Sequence, residues 1–516
     1  MGGGPTQHQE LAMHFFFAVL WILISAFSYG YHISALNGAQ DVITCRSSNH
    51  HLSHRIQSHS LSLLAPCIPM SDNLFGLLTS SYTVGGFLGS VYASKLAESR
   101  GKRNTLVISA LSIAVGSLLM SISNFFSVIL IGRTIIGIGC GINTVLVPIY
   151  LSHISPIQIR GSVGVMNQLA IVIGIFTAQL ISLPLSTPFI WRWIFIISVA
   201  LSTLQLISAP LVNENYNHRD EHEHLTANST SGAHLDRHHP TTTTTTTHSP
   251  ALDSEATDDI LDPPQQSITS DSSYHHHLER ATLLGHTEND QPHSNQHLPI
   301  LKDSASSTDS ISLAQLFHHW KRDPALASGM KVLLITQVAQ QLSGINAVLY
   351  YSTSIMKSVL PTQAIYISLF ITAINVIMTF PPIFLVDKVG RKSLLLISAC
   401  SMAITSFILG FSINYEIAHI SSLAIILFVA SFSVGLGPIP FVILSEVVPS
   451  YAVGAAGSLG LALNWASNFL VGLVFLPLRN LMASPDGDGD GNVFFIFTVF
   501  GIISSSLINK MYHHQV

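Results

Sequence analysis

Charged residues are scarce in this sequence. Only 9% of its 516 residues are Asp, Glu, Lys or Arg, and 48% are hydrophobic. Soluble domains carry about 25% charged residues. Apolar runs of about 20 residues, long enough to cross a bilayer, recur along the chain. The composition therefore excludes an ordinary soluble protein and indicates a polytopic membrane protein.

Cysteine is also rare, with four residues in the chain. Cys140 and Cys400 lie in apolar segments, whereas Cys45 and Cys67 flank one polar loop. An extracellular position of that loop would permit a Cys45–Cys67 disulfide, and the sequence leaves this pairing open. The tract His275–His277 lacks partnered Cys or acidic ligands at fixed spacing. We therefore expect no metal site and no cofactor.

The sequence also lacks recognisable sets of catalytic residues. The sequence contains no evident pair of apposed acids, no nucleophile beside a base and no phosphate-cradling glycine loop. The glycines of Gly137-Ile-Gly-Cys-Gly141 are typical of close helix packing. We therefore expect that the protein is not an enzyme.

Twelve segments are long and apolar enough to span a membrane, six on each side of a polar insert. The first is too long for a signal peptide and lacks a basic leader, so we expect a retained helix. Lys and Arg concentrate in short loops such as 95–103 and 388–392. The positive-inside rule makes these loops cytoplasmic, with both termini and the insert, and makes the loop 41–71 extracellular. The expected spans are residues 11–36, 72–94, 104–122, 125–150, 163–184, 190–211, 330–352, 363–386, 393–412, 421–444, 455–477 and 493–511.

The chain divides into four expected regions. Residues 1–211 form an N-terminal six-helix bundle and residues 330–516 a C-terminal one. Residues 212–310 are rich in His, Ser, Thr, Asp and Pro, which predicts a disordered cytoplasmic linker. Residues 311–329 resume a helical pattern that we expect to lie at the membrane surface. The predicted fold is all-α, with two pseudo-symmetric bundles.

One of the apolar spans contains several polar side chains. The stretch QVAQQLSGINAVLYY, residues 337–351, places several uncharged amides inside a membrane segment. An unpaired amide in an apolar medium costs about 2 to 7 kcal/mol, so these side chains must face something polar. Hydrogen bonding between helices and a lined cavity both satisfy that need, and the tight clustering favours the cavity.

The two halves repeat short motifs. Glu98-Ser-Arg-Gly-Lys-Arg103 follows the second span, and Asp387-Lys-Val-Gly-Arg-Lys392 follows the eighth. Pro148 near the end of the fourth span is matched by Pro440 near the end of the tenth, at nearly the same spacing as the loop glycines. Near-constant spacing indicates a duplication, and facing six-helix halves are how many carriers alternate access.

These motifs carry a family resemblance over nearly the whole chain except the insert and the first extracellular loop. The chain resembles the sugar porters of the major facilitator superfamily, and most of all the animal facilitative glucose transporters. The resemblance rests on Gly101-Lys-Arg103, Pro148-Ile-Tyr150, Ser155-Pro156, Arg160-Gly161, Gln340-Gln-Leu-Ser-Gly-Ile-Asn346, Gly390-Arg-Lys392, Gly437-Pro-Ile-Pro440, Ser445-Glu446 and Asn464-Trp465.

The resemblance implies facilitative uniport of a hexose, D-glucose first, across the plasma membrane by alternating access. Hexose and membrane lipid are the expected partners, nucleic acid is not, and the oligomeric state stays open. Amides suit a sugar because they donate and accept hydrogen bonds without a charge. The implied sugar contacts are Gln168, Gln340, Gln341, Asn346, Asn375, Phe441, Asn464, Trp465 and Asn468. Tyr350 and Tyr351 are the implied gating residues.

The resemblance also implies a cytoplasmic latch of ion pairs that holds the outward-facing state. Its members here are Arg103, Arg160, Arg391 and Glu446. His153 and Val453 replace a Glu and an Arg of the family pattern, so we expect a weakened latch and a population shifted toward inward-facing states.

Further departures concern the site and the energetics. Ser433 replaces an acid, Phe441 replaces a Trp, and Gln337-Val-Ala339 replaces the Gln-Leu-Ser of glucose-selective relatives, which leaves the preference among hexoses open. His32 stands where proton-coupled sugar symporters carry Asp. A missing carboxylate favours uniport, but histidine titrates near physiological pH, so proton-coupled symport stays an alternative. A sugar sensor or receptor that does not transport is the other alternative.

Overall fold

The computed structural model describes residues 5–45, 64–188, 190–212, 311–349, 364–482 and 489–511. These residues form helices and no strand, and twelve of the helices are long and apolar enough to cross a membrane. The predicted all-α membrane fold is thereby confirmed. The long helices are α1 (Pro5–Ser34), α2 (Asp72–Arg100), α3 (Lys102–Ile122), α4 (Phe126–Ile154), α5 (Arg160–Leu185), α6 (Trp193–Ser208), α7 (Pro324–Leu342), α8 (Ala364–Val389), α9 (Arg391–Asn414), α10 (Ala418–Val434), α11 (Val453–Met482) and α12 (Asn492–Met511).

Helix packing follows the duplication. Inside the first half α2 packs on α4 and α3 packs on α6, and six helices later α8 packs on α10 and α9 on α12. Between the halves α2 packs on α11 and α5 on α8. The two interfaces between the halves are therefore themselves related by the same repeat.

The loop glycines share one backbone conformation. Gly101 has φ 83° and ψ 159°, and Gly390 has φ 88° and ψ 154°. Side chains other than hydrogen are essentially excluded from this region. Each glycine also begins the following helix, α3 or α9. The similar spacing noticed in the sequence therefore reflects the same tight turn built twice.

Close helix packing accounts for the glycine-rich stretch of α4, as predicted. A Cβ atom on Gly137 would lie 2.3 Å from the carbonyl oxygen of Tyr82, and one on Gly141 would lie 2.1 Å from that of Gly86. Only the missing side chains let α2 and α4 approach so closely.

The tenth span is interrupted, whereas the sequence predicted one continuous segment over 421–444. α10 ends at Val434, and a separate short helix, Ile439–Val442, follows after a turn. The turn contains Gly435, Gly437 and Pro438; proline has no N–H to donate to a helix. The break leaves carbonyl groups without partners inside the helix, and buried carbonyls require partners from elsewhere.

The seventh span begins earlier than expected. The helix Leu313–Trp320 precedes it, and α7 starts at Pro324 rather than near residue 330. Asp323 fixes this start because its Oδ1 atom accepts hydrogen bonds from the N–H groups of Ala325 (2.9 Å) and Leu326 (3.2 Å). The Tyr451 hydroxyl donates to Asp323 Oδ2 at 2.5 Å. This hydrogen bond, with those at the cap, lowers the pKa of Asp323 from its ordinary value.

A second set of contacts holds both ends of the loop between α1 and α2. Cys45 and Cys67 form a disulfide. The buried Arg192 guanidinium donates to the carbonyl oxygens of Ser121 (3.1 Å), Ser123 (2.6 Å) and Ala65 (2.7 Å). The loop is thereby tied to the end of α3 and to the start of α6.

Candidate functional site

Five amides from α7, α11 and the turn after α7 form one hydrogen-bonded cluster, with Asn464 at its centre. Asn464 Nδ2 lies 2.9 Å from Gln337 Oε1 and 2.8 Å from Gln340 Oε1. Asn464 Oδ1 accepts a hydrogen bond from Gln341 Nε2 at 2.9 Å, and Gln341 Oε1 accepts one from Asn346 Nδ2 at 2.5 Å. We refer to Gln337, Gln340, Gln341, Asn346 and Asn464 as the amide cluster; all five are buried.

The amide cluster also holds the broken tenth span. Gln340 Nε2 donates to the carbonyl oxygens of Leu436 (2.8 Å) and Gly437 (3.0 Å), and Gln337 Nε2 donates to that of Pro440 (3.1 Å). These carbonyls belong to the break after α10 and to the short helix beyond it. For Gln337 and Gln340, one function of the amides is thus hydrogen bonding between helices.

A turn brings Asn346 into the cluster. Ser343 ends α7, and Gly344 has φ +88°, a left-handed conformation that glycine adopts without penalty. The N–H of Val348 then donates to the carbonyl oxygen of Gly344, which restarts a helical turn. Both α7 and the tenth span therefore change direction beside the amides.

Asn375 and Ser433 form a separate buried pair. Ser433 Oγ donates to Asn375 Oδ1 at 2.7 Å and joins α8 to α10. Ser433 occupies the position where the resemblance implied an acid. A serine hydroxyl preserves a hydrogen bond there but carries no charge.

Trp465 extends from α11 into the first half. Its indole N–H donates to Thr144 Oγ1 at 3.1 Å. Its ring meets the edges of Tyr29 and Tyr82 at centroid distances of 5.5 and 5.4 Å. A Cβ atom on Gly86 would lie 2.5 Å from the ring, so the indole packs on bare backbone. Trp465 is 1% exposed, and in this arrangement it joins the two halves.

The remaining predicted sugar contacts are Gln168, Asn468 and Phe441. Gln168 on α5 is buried and makes no side-chain hydrogen bond to another described residue. Asn468 follows Asn464 by one helical turn and is buried. Phe441 is buried in the short helix Ile439–Val442. The predicted gating residues Tyr350 and Tyr351 lie outside the described residues.

Contacts between the halves occur on both sides of the amide cluster. In the turn of helix that follows α7, the carbonyl oxygen of Leu349 accepts a hydrogen bond from Asn37 Nδ2 at 3.2 Å. Toward the start of α11, the N–H of Ser94 donates to Ser458 Oγ at 3.2 Å. The amides are therefore enclosed between two levels of contact.

The predicted latch residues are only partly brought together. Arg391 makes two hydrogen bonds to the Glu446 carboxylate, at 2.9 and 2.8 Å, and an ion pair with Asp387 at 2.9 Å. Arg103 donates to the carbonyl oxygen of Ala209. Arg160 makes no ion pair within the described ranges, and its buried Nε atom has no hydrogen-bond partner there.

Asp387 also connects the halves. Its Oδ2 atom accepts hydrogen bonds from the N–H and the hydroxyl of Ser162 on α5, at 3.2 and 3.0 Å. The Ser162 hydroxyl also donates to the carbonyl oxygen of Ile383 on α8. The Asp387 carboxylate therefore takes part both in the ion pair with Arg391 and in the contact with Ser162 of the other half.

The interior of the first half has a different polar group. His32 Nε2 lies 2.7 Å from Ser198 Oγ and 3.4 Å from Ser117 Oγ, and Ser117 Oγ lies 3.0 Å from Ser198 Oγ. His32 is fully buried. Among the buried residues of the described ranges there is no Asp or Glu.

Sequence reasoning missed several of these participants. Gln337 was not among the predicted sugar contacts, although its position one turn before Gln341 placed it on the same face. Thr144 and Gly86 contact Trp465 from the other half of the chain, and no local pattern marks them. Ser433 was recognised as a departure, but its hydrogen bond to Asn375 depends on how α8 and α10 pack.

Comparison with known proteins agrees with this architecture. The family model described as "Sugar (and other) transporter" matches residues 17–234 and 275–512. The chain is 29% identical to the facilitated glucose transporter member 3 of solute carrier family 2 from Ovis aries, over 94% of this chain and 87% of that protein. It is 27% identical to the vacuolar protein sorting-associated protein 73 of Saccharomyces cerevisiae, over 96% and 92%.

A solved structure shares the fold. The proton:xylose symporter XylE bound to 6-bromo-6-deoxy-D-glucose superposes with a TM-score of 0.65 at 20% identity, over 97% of this chain and 96% of that one. The twelve helices, the repeated packing and the family match together lead to one conclusion. The chain belongs to the sugar (and other) transporter family; it is a multi-pass membrane sugar transporter, not an enzyme, and it shares the fold of a solved major facilitator superfamily protein.

Proposed function

We propose that the protein is a facilitative uniporter of hexoses, with D-glucose as its first substrate. The observation that carries the proposal is the amide cluster, an uncharged set of donors and acceptors enclosed between the two halves. Sugar hydroxyls also donate and accept, so neutral amides recognise them without the cost of desolvating a charge. The relative from Ovis aries is named a facilitated glucose transporter, which supports the choice of D-glucose.

The proposed sugar contacts come mainly from the second half. They are Gln340, Gln341, Asn346, Asn375, Phe441, Asn464, Trp465 and Asn468, joined by Gln168 from the first half. Gln337 is added because it shares Asn464 with Gln340. Gln168 makes no side-chain hydrogen bond to another described residue, and we propose that it completes the site when the halves close on a sugar.

Alternating access follows from where the helices are broken. α7 turns at Gly344 and the tenth span breaks after Val434, and both breaks adjoin the amide cluster. A sugar bound there replaces hydrogen bonds that now hold these segments to one another. Tighter binding to the occluded arrangement than to the open ones supplies the free energy for closure, and the halves then rock about the site.

Uniport is supported by the buried residues of the described ranges, which include no carboxylate that would carry a coupling proton. The test uses proteoliposomes that contain only this protein. A uniporter equilibrates labelled glucose and shows counterflow, but does not accumulate glucose when a proton gradient is imposed. Accumulation driven by the gradient would contradict uniport.

Symport is the second candidate because His32 is titratable and fully buried. Its Nδ1 atom has no hydrogen-bond partner within the described ranges. Alkalinisation of a weakly buffered medium on addition of sugar would select symport. Sugar binding without any flux would instead indicate a sensor.

The proposed location is the plasma membrane, with both termini and the linker 212–310 in the cytoplasm. The linker lies outside the described residues, and its disorder stays a prediction. One yeast relative is named a vacuolar protein sorting-associated protein, so an internal membrane is the alternative location. Surface biotinylation of intact cells separates the two, because a vacuolar protein would be labelled only after permeabilisation.

A further inference from the structure

The helix Leu313–Trp320 has one face fixed to the second half. Leu316 on that face is fully buried. The N–H of Ile311, just before the helix, donates to the carbonyl oxygen of Tyr451 at 3.1 Å, and the His319 ring meets the edge of the Tyr451 ring at 6.2 Å. Ser312 and Gln315 close a reciprocal cap at the N-terminus of the helix. These contacts hold the helix in a defined orientation.

Beside that face the helix carries one exposed ring, Phe317, and one half-buried ring, Trp320. Phe317 is 49% exposed and stacks on Trp320 with a centroid distance of 6.3 Å. The two rings, with His318 and Lys321, line an open hollow at the end of the helix. An open hollow lined by aromatic rings offers apolar contact to a ligand.

One cation, Lys321, lines the hollow, and a second, Arg322, follows it in the chain. Lys321 and Arg322 are exposed, and neither forms an ion pair with any residue that the structure describes. The nearest acid in the sequence, Asp323, already accepts hydrogen bonds from Tyr451 and from the first turn of α7. The hollow therefore presents positive charge beside apolar rings.

Its position along the chain places it at the edge of the bilayer. The membrane-spanning stretch of α7 begins at Pro324, and Asp323 alone separates it from the two cations. Aromatic rings and basic side chains next to a span typically lie at the level of the lipid headgroups. The aliphatic stems and rings can then contact acyl chains while the charges face phosphate.

We propose that this hollow binds the headgroup of an anionic phospholipid from the adjoining leaflet. Lys321 and Arg322 contact the phosphate and the anionic headgroup, and Phe317 and Trp320 pack against the upper part of the acyl chains. A lipid fits better than a soluble anion because the aromatic face is continuous with the start of a membrane span. The proposal is independent of which sugar is transported.

The test measures which lipids stay with the protein. The full-length chain is reconstituted in vesicles of equal phosphatidylcholine and phosphatidylserine and extracted in mild detergent, and the retained lipids are quantified. We expect wild-type protein to retain phosphatidylserine preferentially. The double variant K321Q/R322Q should lose this preference, by about fivefold for each cation removed. Phe317→Ala should reduce the total lipid retained.

A matched control removes the same charge elsewhere. The double variant K388Q/K510Q neutralises two exposed lysines at the ends of α8 and α12 and should keep the preference for phosphatidylserine. K321R/R322K, which keeps the charge, should keep it as well and shows that the altered segment still folds.

Three results would overturn the proposal. The first is unchanged retention in K321Q/R322Q, and the second is an equal loss in K388Q/K510Q, which would indicate diffuse attraction. The third is a wild-type protein without preference that gains one when Asp258 and Asp259 of the linker are changed to Asn. That result would assign the hollow to the chain's own acidic segment.

Discussion

The two halves of the duplicated fold bury different polar groups. The first half encloses His32 with Ser117 and Ser198, and the second encloses the amide cluster. The histidine can change its charge, whereas the amides cannot. The serines bond mainly within the first half, while the amides bond across a broken helix.

We propose that these two polar groups serve different purposes in one duplicated scaffold. Neutral amides beside flexible breaks suit recognition of an uncharged sugar, and a titratable group held among serines suits control of coupling. If the division is correct, changes in the second half alter sugar affinity, and changes in the first half alter proton coupling or stability. The predictions below test it in order of decreasing effect.

Asn464→Ala should have the largest effect. Asn464 bonds directly to Gln337, Gln340 and Gln341, so its removal leaves several buried amides unpaired at about 1 to 3 kcal/mol each. We expect the apparent KM for glucose in proteoliposomes to rise at least about tenfold, or uptake to be lost.

The matched control in the first half is Asn143→Ala. Asn143 is also buried and bonds to Ser25 and Ser109. We expect a lower Tm with little change in KM. Equal changes in KM for the two alanine variants would show that the halves do not divide the tasks.

Thr144→Val should have the next largest effect. The valine removes the acceptor of the Trp465 indole N–H and leaves a buried donor unpaired, which costs about 1 to 3 kcal/mol. Uptake by counterflow should fall about tenfold. Thr144→Ser keeps the hydroxyl and should retain most activity, and failure of this rescue would contradict a role for the hydrogen bond.

His32→Gln should have a smaller effect if the protein is a uniporter. Glutamine keeps a hydrogen-bonding group near Ser198 but does not titrate between pH 5 and 8. We expect glucose counterflow within about threefold of wild type, since one neutral hydrogen bond is worth about 0.5 to 1.5 kcal/mol. Sugar-induced proton movement in wild type that disappears in His32→Gln would reverse the assignment to uniport.

Glu446→Gln should have the smallest effect. The Arg391–Glu446 pair is about one-quarter exposed, at 24% and 25%, so solvent screens it. Partly exposed pairs contribute about 0 to 1 kcal/mol. Distances between spin labels on the ends of α5 and α8 that carry Ser162 and Asp387 should show a modest increase of protein that is open at that face. Wild-type protein that is mainly closed at that face would contradict the predicted weak latch.

The sequence predicted the membrane helices well because each span needs a run of apolar residues whatever its neighbours are. The paired loop motifs predicted the duplication for a similarly local reason, since Gly101 and Gly390 occupy a conformation that only glycine adopts. Both features are visible without knowledge of the packing.

The break of the tenth span was not predicted, although its glycines and prolines were recognised as a family motif. Hydropathy is continuous through Gly435–Pro440, so only the backbone shows where the helix stops. The contact of Trp465 with Gly86 was missed because residues far apart in the chain become neighbours only when the halves meet. The predicted site residues on α7 and α11 lie together, whereas how Gln168 takes part depends on closure that a sequence does not describe.

The amides of the amide cluster are hydrogen-bonded to one another, and this has a thermodynamic consequence for sugar binding. A sugar hydroxyl can reach Gln340 or Asn464 only by exchanging with an amide that is already bonded there. Exchange of one neutral hydrogen bond for another changes the enthalpy little. A sugar whose hydroxyl points the wrong way, however, displaces an amide and leaves it unsatisfied, at about 1 to 3 kcal/mol. Discrimination between hexose epimers would then arise from the hydrogen bonds among the amides that break when a sugar binds.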